Sequence, residues 1–353
     1  MTISSKTLHA YLQDLLARYR NAGYFPAVAV RVFNRRETLA AACAGPVTED
    51  AVFDVASLTK IATATQALLL MGQGKLDLHA PVARYFPEIA GDAALAGRLA
   101  DVTLYRLLTH TSTLVDWYPF YARRGEDFFA VLKYALEHTE VSRGVCYSDL
   151  NFMLLGKLLE KVQGKPLAAC LAEDLAAPLG LGTMVYHPDA ALPLVPSCYG
   201  NDIEMDMCRE RGIAFDGFRP LGQAVRGETN DGNAHYYFGD EAGHAGIFAT
   251  AAAYEKLCQF YMNTEDPLLI EAQRDQEKAP GRGIGLQTGV MYPHGCGHTG
   301  FTGTSIYFSR TGDIGAVAMT NRLFFPRPSG LAVNDFRRAL HEAVFALCAQ
   351  NGR

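Results

Sequence analysis

Strand-forming segments occur near both ends of this chain, and helical segments fill the middle. Residues Ala27 to Phe33 are rich in valine and predict a strand, and Thr38 to Cys43 return after a turn. Near the other end, Thr304 to Phe308 and Ile314 to Thr320 predict a second pair around a turn cluster. Both pairs can share one antiparallel sheet. We therefore expect an α/β fold in which both termini form the sheet and the middle is an inserted, mainly helical lobe.

Helices flank the expected sheet at both ends of the chain. Apolar residues recur at helical spacing in two stripes, one near each terminus: Leu8, Leu12, Leu15 and Tyr19, and Phe336, Leu340, Val344 and Leu347. We predict a single catalytic unit, with an α/β lobe of about residues 1–56 plus 283–353 and a helical and loop lobe of about 57–282. A site is expected between the lobes, where pockets are common.

Charge and composition exclude several classes of function. The net charge is −5, and no basic run with interleaved aromatic residues occurs, so no nucleic-acid partner is expected. No signal peptide follows the first lysine and no apolar run could span a bilayer, so we expect a cytoplasmic protein with no membrane partner. The eight cysteines form no CxxC pair and read as reduced thiols. Nothing indicates an oligomeric state.

The first candidate for chemistry is the pair Ser57 and Lys60. The two residues lie three apart at the start of a predicted helix, Ile61 to Met71, so they share one face. A serine hydroxyl needs a base to become a nucleophile, and a desolvated lysine can be that base. The alternative is a helix cap beside a solvated lysine, because Ser-x-x-Lys often occurs by chance.

The second candidate is Tyr147, in a short segment before another predicted helix. A tyrosine there can act as a general base or proton relay if a cation lies nearby. The alternative is a packing residue.

The third candidate is the segment from His298 to Gly303, which leads into a predicted strand. Its small residues, Thr299 and Gly300 among them, would let a substrate approach a strand edge. The amide of Phe301 is a candidate oxyanion donor opposite the amide of Ser57. The alternative is a glycine-rich turn with a surface histidine.

Together the three segments resemble, in order, the motifs of the serine β-lactamase and penicillin-binding-protein superfamily, in its class C and family VIII esterase branch. Four further segments look like that branch's framework: Leu107 to Ser112, Pro178 to Leu181, Gly243 to Phe248 and Thr320 to Arg322. The resemblance runs from about Pro26 to Arg322.

The resemblance implies a β-lactamase-like fold and a role for each motif. Ser57 is the acylated nucleophile, and Lys60 and Tyr147 share the tasks of base and proton relay. His298 supplies a cation or donor near the leaving group. Thr299, Gly300, Phe301 and Asp149 would line the substrate or the oxyanion site. No cofactor is implied, and no metal, since His235, His244 and Asp231 match no ligand spacing.

Two residues depart from the lactamases of this branch. Asp149 replaces an asparagine, which favours a charged Lys60 and repels an acidic substrate. His298 replaces a lysine and carries a weaker positive charge near pH 7.

We therefore predict a serine hydrolase, an esterase or amidase, that acts on small ester or amide substrates through an acyl-enzyme on Ser57. The alternatives are a β-lactamase or D-aminopeptidase/DD-peptidase, an acyltransferase, and an idle binding or sensor protein.

Overall fold

The computed structural model describes residues 5–141, 143–325 and 330–349, which contain twelve α-helices and eight strands. The helices are α1 (Ser5–Asn21), α2 (Thr59–Gly72), α3 (Pro87–Ala90), α4 (Ala93–Leu99), α5 (Leu104–Leu108), α6 (Phe128–His138), α7 (Asp149–Gln163), α8 (Leu167–Leu171), α9 (Asp202–Glu210), α10 (Ala251–Asn263), α11 (Pro267–Glu271) and α12 (Val333–Ala349). The strands are β1 (Val28–Phe33), β2 (Thr38–Ala44), β3 (Phe53–Asp54), β4 (Met184–Val185), β5 (Phe248–Ala249), β6 (Cys296–Thr299), β7 (Ser305–Ser309) and β8 (Ile314–Thr320).

Five strands form one antiparallel sheet that joins the two ends of the chain. The strand order is β2-β1-β8-β7-β6. Strand β1 lies between the two hairpins, with Val28 opposite Ala44 on one side and Thr320 on the other. The α/β fold with an antiparallel sheet built from both termini is confirmed.

Alternate residues of β1 face two different helical layers, as the two-residue period of a strand requires. Val28, Val30 and Val32 pack in one core with α1 and α12. Ala29 and Phe33 belong to the second core, on the side of α10. Helix α10 contacts β1, β7 and β8, although its sequence lies within the stretch assigned to the helical lobe. The lobe division at residues 57 and 282 stays a prediction.

Two strands begin one residue later than expected. At the first expected residue of each, a backbone group forms its hydrogen bond with a partner outside the strand pairing. The Ala27 N–H donates to the side-chain oxygen of Asn321 at 2.9 Å, so β1 begins at Val28. The Thr304 carbonyl accepts from the Gly300 N–H at 2.7 Å, which closes a turn, and β7 begins at Ser305.

Helix α2 occupies the interior of the rest of the molecule. It is buried on nearly every side and packs against α7. A small sheet of order β3-β5-β4 lies at its N-terminal end, where Phe53 pairs with Ala249. Among the described residues, no helix combines the length and apolar character needed to cross a bilayer.

A glycine pair brings the segment before β5 against helix α7. A Cβ atom on Gly243 would lie 2.2 Å from the Phe152 carbonyl oxygen and 2.8 Å from the Cα atom of Gly156. The Gly243 carbonyl also accepts a hydrogen bond from the Thr63 hydroxyl of α2 at 2.8 Å. Glycine is therefore required at 243 by close backbone approach.

Replacing Gly243 by alanine is expected to lower the free energy of unfolding by about 1–3 kcal/mol, because the methyl group has no space without backbone movement. Gly97→Ala is the matched control. Gly97 is exposed in α4 and its Cβ would meet nothing within 4 Å, so alanine should stabilise the helix by about 0.5–1 kcal/mol. Calorimetric melting of both variants measures the difference, and equal changes would contradict this packing argument.

Candidate active site

Ser57 lies in a single tight turn, Ala56–Leu58, between strand β3 and helix α2. The residue before it, Ala56, has a φ of +48°, a left-handed conformation that a non-glycine residue rarely adopts. The Asp54 side chain holds this turn, since its Oδ1 accepts the Ala56 N–H at 2.8 Å. Ser57 is partly exposed, so a substrate can reach its hydroxyl.

Asp54 has a second partner on a distant loop. Its Oδ2 accepts the Asn230 N–H at 2.7 Å. Burial raises the pKa of Asp54 from 3.8 to about 6, against the opposing effect of the two N–H donors. As the pH rises, Asp54 therefore ionises in the unfolded chain before it ionises in the folded chain. Its contribution to the free energy of unfolding is lost as the pH rises from 3.8 to about 6. Backbone strain and a costly buried charge at one turn are typical of a functional site.

Lys60 is fully buried and all three of its ammonium hydrogens have acceptors. The Nζ atom lies 3.0 Å from Ser57 Oγ, 3.2 Å from the His244 carbonyl oxygen and 2.8 Å from Asp149 Oδ1. An ammonium group has three donors, so this arrangement satisfies it completely. Three segments far apart in the sequence thus meet at Lys60.

The charge of Lys60 follows from these neighbours. Burial alone would lower the pKa of Lys60, but the Asp149 carboxylate and Tyr147 outweigh burial and raise it above its ordinary value. Lys60 is therefore an ammonium ion near neutral pH, and it donates to Ser57 rather than accepting from it.

Tyr147 lies beside Lys60, with the Nζ atom 4.9 Å from the centroid of its ring. His110 holds the segment around it. Its carbonyl accepts the Cys146 N–H at 2.9 Å and its Nδ1 accepts the Ser148 N–H at 3.0 Å. Burial lowers the pKa of His110 well below its usual range, so the ring stays neutral and can accept. His110 acts here by positioning Tyr147.

Arg282 is a second cation at the site, and the sequence argument missed it. Its guanidinium carbon lies 5.3 Å from the centroid of the Tyr147 ring. Burial lowers the pKa of Arg282, yet an arginine keeps its charge in such surroundings. In the sequence, the signal for this residue was an arginine placed between Gly281 and Gly283.

His298 lies near Tyr147 but carries no positive charge. The centroids of the two rings are 6.0 Å apart. Burial, with the charges of Lys60 and Arg282, lowers the pKa of His298 well below its usual range. Its Nδ1 donates to the Thr299 carbonyl at 2.8 Å. The expectation of a weak cation at this position is thus corrected: His298 is a neutral imidazole because it is buried beside two cations.

The strand edge after His298 is tied directly to the segment that precedes Ser57. The Thr302 hydroxyl donates to the Asp54 carbonyl at 2.8 Å, and the Thr304 hydroxyl to the Val55 carbonyl at 3.0 Å. A Cβ atom on Gly300 would lie 2.5 Å from the Val55 oxygen, so only glycine fits. This brings the Phe301 backbone beside the Ser57 turn.

Of the three residues considered for a metal site, His244 and Asp231 pair with each other, and His235 pairs with Asp240. His244 Nε2 lies 2.9 Å from Asp231 Oδ1, and His235 Nδ1 lies 2.8 Å from Asp240 Oδ1. Within the described ranges, no group of three or more histidine, cysteine or acidic side chains is placed to hold a metal ion.

Known proteins are similar to most of this chain in sequence or in fold. The family model described as Beta-lactamase matches residues 12–339. The chain is 28% identical over 307 residues to the N-acetylmuramyl-L-alanine amidase of Bacillus subtilis (strain 168), a match that covers 78% of this chain and 69% of the relative. It is 26% identical to the putative D-alanyl-D-alanine carboxypeptidase of Escherichia coli (strain K12), with 79% and 71% covered.

Among solved structures, the class C beta lactamase from Rhodobacter sphaeroides has a similar fold. The TM-score is 0.68, the identity is 18%, and the match covers 95% of this chain and 98% of the other. At that identity the likeness concerns the fold.

Asp54→Asn is expected to lower kcat roughly 10- to 100-fold with little change in KM, because one of two backbone N–H groups loses its acceptor and the nucleophile shifts. Protonation of wild-type Asp54 below about pH 6 has a similar effect. The ratio of wild-type to variant kcat should therefore shrink as the pH falls. Steady-state kinetics between pH 5 and 8 with an ester substrate measure this ratio.

Asp189→Asn is the matched control, since Asp189 makes the same kind of bond, to the Ala191 N–H at 2.8 Å, in an exposed turn. A pH-independent ratio for Asp54→Asn, or an equal loss of kcat in both variants, would count against the positioning role.

Proposed function

The chain belongs to the Beta-lactamase family, and we propose that it is a serine hydrolase that cleaves ester or amide bonds of small, neutral acyl substrates through an acyl-enzyme on Ser57. The observation that carries the proposal is the 3.0 Å contact between Ser57 Oγ and the buried ammonium of Lys60, beside Tyr147. A partly exposed hydroxyl, a buried cation and the side chain of Tyr147, close to one another, are the groups that acyl transfer requires.

In the proposed mechanism, Tyr147 reacts as a phenolate beside the charged Lys60 and Arg282; it takes the proton of Ser57 and becomes the neutral phenol. Lys60 already donates all its hydrogens, so it orients the serine oxygen and balances negative charge as it develops. The serine oxygen attacks the substrate carbonyl, and the amides of Ser57 and Phe301 hold the oxyanion. Tyr147 then returns the proton to the leaving alcohol or amine. Water then attacks the carbonyl of the acyl-enzyme. Tyr147 takes a proton from this water and returns it to the Ser57 oxygen as the acid leaves.

The preference for neutral substrates rests on two side chains. The Asp149 carboxylate lies 2.8 Å from Lys60. It repels an anionic substrate, and it neutralises the lysine charge that could otherwise attract one. His298 is held neutral by burial, so the third motif adds no cation.

A second candidate is a peptidase that recognises a terminal carboxylate, and one observation favours it. The Arg282 guanidinium lies over the Tyr147 ring, 5.3 Å from its centroid, where it can pair with an anionic group. One relative is named as a putative D-alanyl-D-alanine carboxypeptidase. The same nucleophile serves both candidates, so substrate choice separates them.

A serine-reactive fluorophosphonate probe is expected to label the wild type and to leave Ser57→Ala unlabelled. Hydrolysis of p-nitrophenyl acetate should fall at least about 1000-fold in that variant, because the covalent step is lost. A panel of p-nitrophenyl acetate, nitrocefin and a D-alanyl-D-alanine peptide, compared by kcat/KM, distinguishes esterase, lactamase and peptidase.

The control for that experiment is Ser5→Ala, an exposed serine at the start of α1. Folded wild type that is never labelled would favour an idle binding protein, and a peptide turned over faster than every ester would favour the second candidate.

Asp149→Asn is expected to raise the kcat/KM ratio of nitrocefin to p-nitrophenyl acetate at least about tenfold. The change removes a repelling charge and adds an amide donor, each worth roughly 1 kcal/mol. Asp149→Ala removes the charge without adding a donor, so its gain should be smaller. Because both variants disturb Lys60 alike, the ratio cancels their shared loss. An unchanged ratio in both would disprove the role of Asp149 in selectivity.

A further inference from the structure

Three of the seven large apolar side chains exposed in the described part of the chain line one cavity. Across the ranges that the structure describes, the large apolar residues exposed to solvent are Tyr11, Val141, Val145, Leu221, Val290, Phe301 and Leu331. Leu221, Phe301 and Leu331 all line a single cavity of about 550 Å³. Scattered apolar residues on a surface are ordinary, but a cluster around a concave site marks a binding surface.

The cavity adjoins the turn that carries Ser57. Asn230, one of its lining residues, donates its N–H to the Asp54 carboxylate that holds this turn. Phe301, another lining residue, directly follows Gly300, which has space only for a hydrogen beside the Val55 carbonyl. Its ring therefore forms a wall of the cavity while its amide is the proposed oxyanion donor. Ser57 does not itself line the cavity, so a substituent of the bound carbonyl must pass Phe301 to enter it.

The chemistry decides which substituent that is. Tyr147 takes the proton of Ser57 and must return it to the leaving group. The leaving oxygen or nitrogen therefore lies beside Tyr147 and Lys60. Neither of those residues lines the cavity, nor does His298. We propose that this cavity binds the acyl chain of the substrate, a neutral and mainly apolar group, and not the leaving group. The inference rests on the proposed function and specifies its substrate class.

Size and charge define the acyl group further. A cavity of roughly 150 Å³ accommodates benzene, so about 550 Å³ accepts an acyl chain of at least about six carbons. Phe325 extends the apolar lining, and the charged lining residues are of both signs, Asp202 and Arg322. Burial raises the pKa of Glu204 from 4.5 to about 8, so this third acidic residue is mainly neutral near pH 7. The lining therefore suits a neutral chain.

The test keeps the p-nitrophenol leaving group constant and varies the acyl chain. Wild type is expected to prefer hexanoate to acetate at least about tenfold in kcat/KM, because each buried methylene contributes roughly a fourfold factor. Leu221→Arg and Leu331→Arg should each lower the hexanoate-to-acetate ratio about fivefold or more.

Val290→Arg is the matched control. It places the same charge on a valine that is 89% exposed and does not line the cavity, so the ratio should stay at the wild-type value. Leu221 is 57% exposed, so arginine there should leave the melting temperature unchanged. Leu331→Arg provides an independent second test.

The possible results separate this inference from the proposed function. Labelling of Ser57 together with no preference for longer acyl chains, or with a ratio unchanged in both arginine variants, overturns the acyl cavity and leaves the hydrolase intact. Acetate esters whose rates depend on alcohol length, with no dependence on acyl length, would also overturn it. Absence of both Ser57 labelling and ester hydrolysis overturns the proposed function, and the acyl cavity with it.

Discussion

The buried ammonium of Lys60 is the interaction on which the site depends. A lysine with no exposure to water is strongly unfavourable unless each hydrogen has an acceptor and a countercharge lies close by. Here Asp149 supplies the countercharge at 2.8 Å, and Ser57 and the His244 carbonyl supply the other acceptors. Removing any of these groups leaves a buried charge incompletely paired. The fold must therefore hold helix α2, the start of α7 and the segment before β5 together.

The same ion pair contributes to the electrostatics around Tyr147. Because Asp149 keeps Lys60 charged, and Arg282 adds a second cation, the nearby imidazoles lose their affinity for protons. Burial and these charges lower the pKa values of both His110 and His298 well below the usual range. Neutral His110 can then accept the backbone N–H that positions Tyr147. Burial, reinforced by the two cations, thus keeps both imidazoles neutral, and the neutral His110 in turn determines the geometry of the segment around Tyr147.

Local patterns in the sequence were sufficient for the sheet, where the valines of β1 alternate in the strand period. The three-residue spacing of Ser57 and Lys60 places the pair on one helical face, but selecting that pair as the site also required the order of the three motifs. The roles of Asp54 and Arg282 could not be read from local pattern, since Asn230 and Tyr147, which they contact, are remote in the sequence. Asp54 was still visible as the one charge in the apolar run from Ala51 to Ala56. His298 is neutral because it is buried, and its burial could not be known before the fold was.

The glycine pair in the helical region connects the packing of the fold to the charge in the site. Gly156 lies in the helix that begins at Asp149, and Gly243 immediately precedes His244. Their backbones approach so closely that neither has space for a side chain, since Cβ atoms on each would lie within 3.0 Å of the other residue. The Gly243 carbonyl is also bonded to Thr63, one turn beyond Lys60. The two acceptors of Lys60 that are remote in the sequence, Asp149 and the His244 carbonyl, are therefore set by this contact. A side chain at either glycine would separate them, and the lysine would lose its countercharge or its carbonyl partner before any catalytic residue had changed.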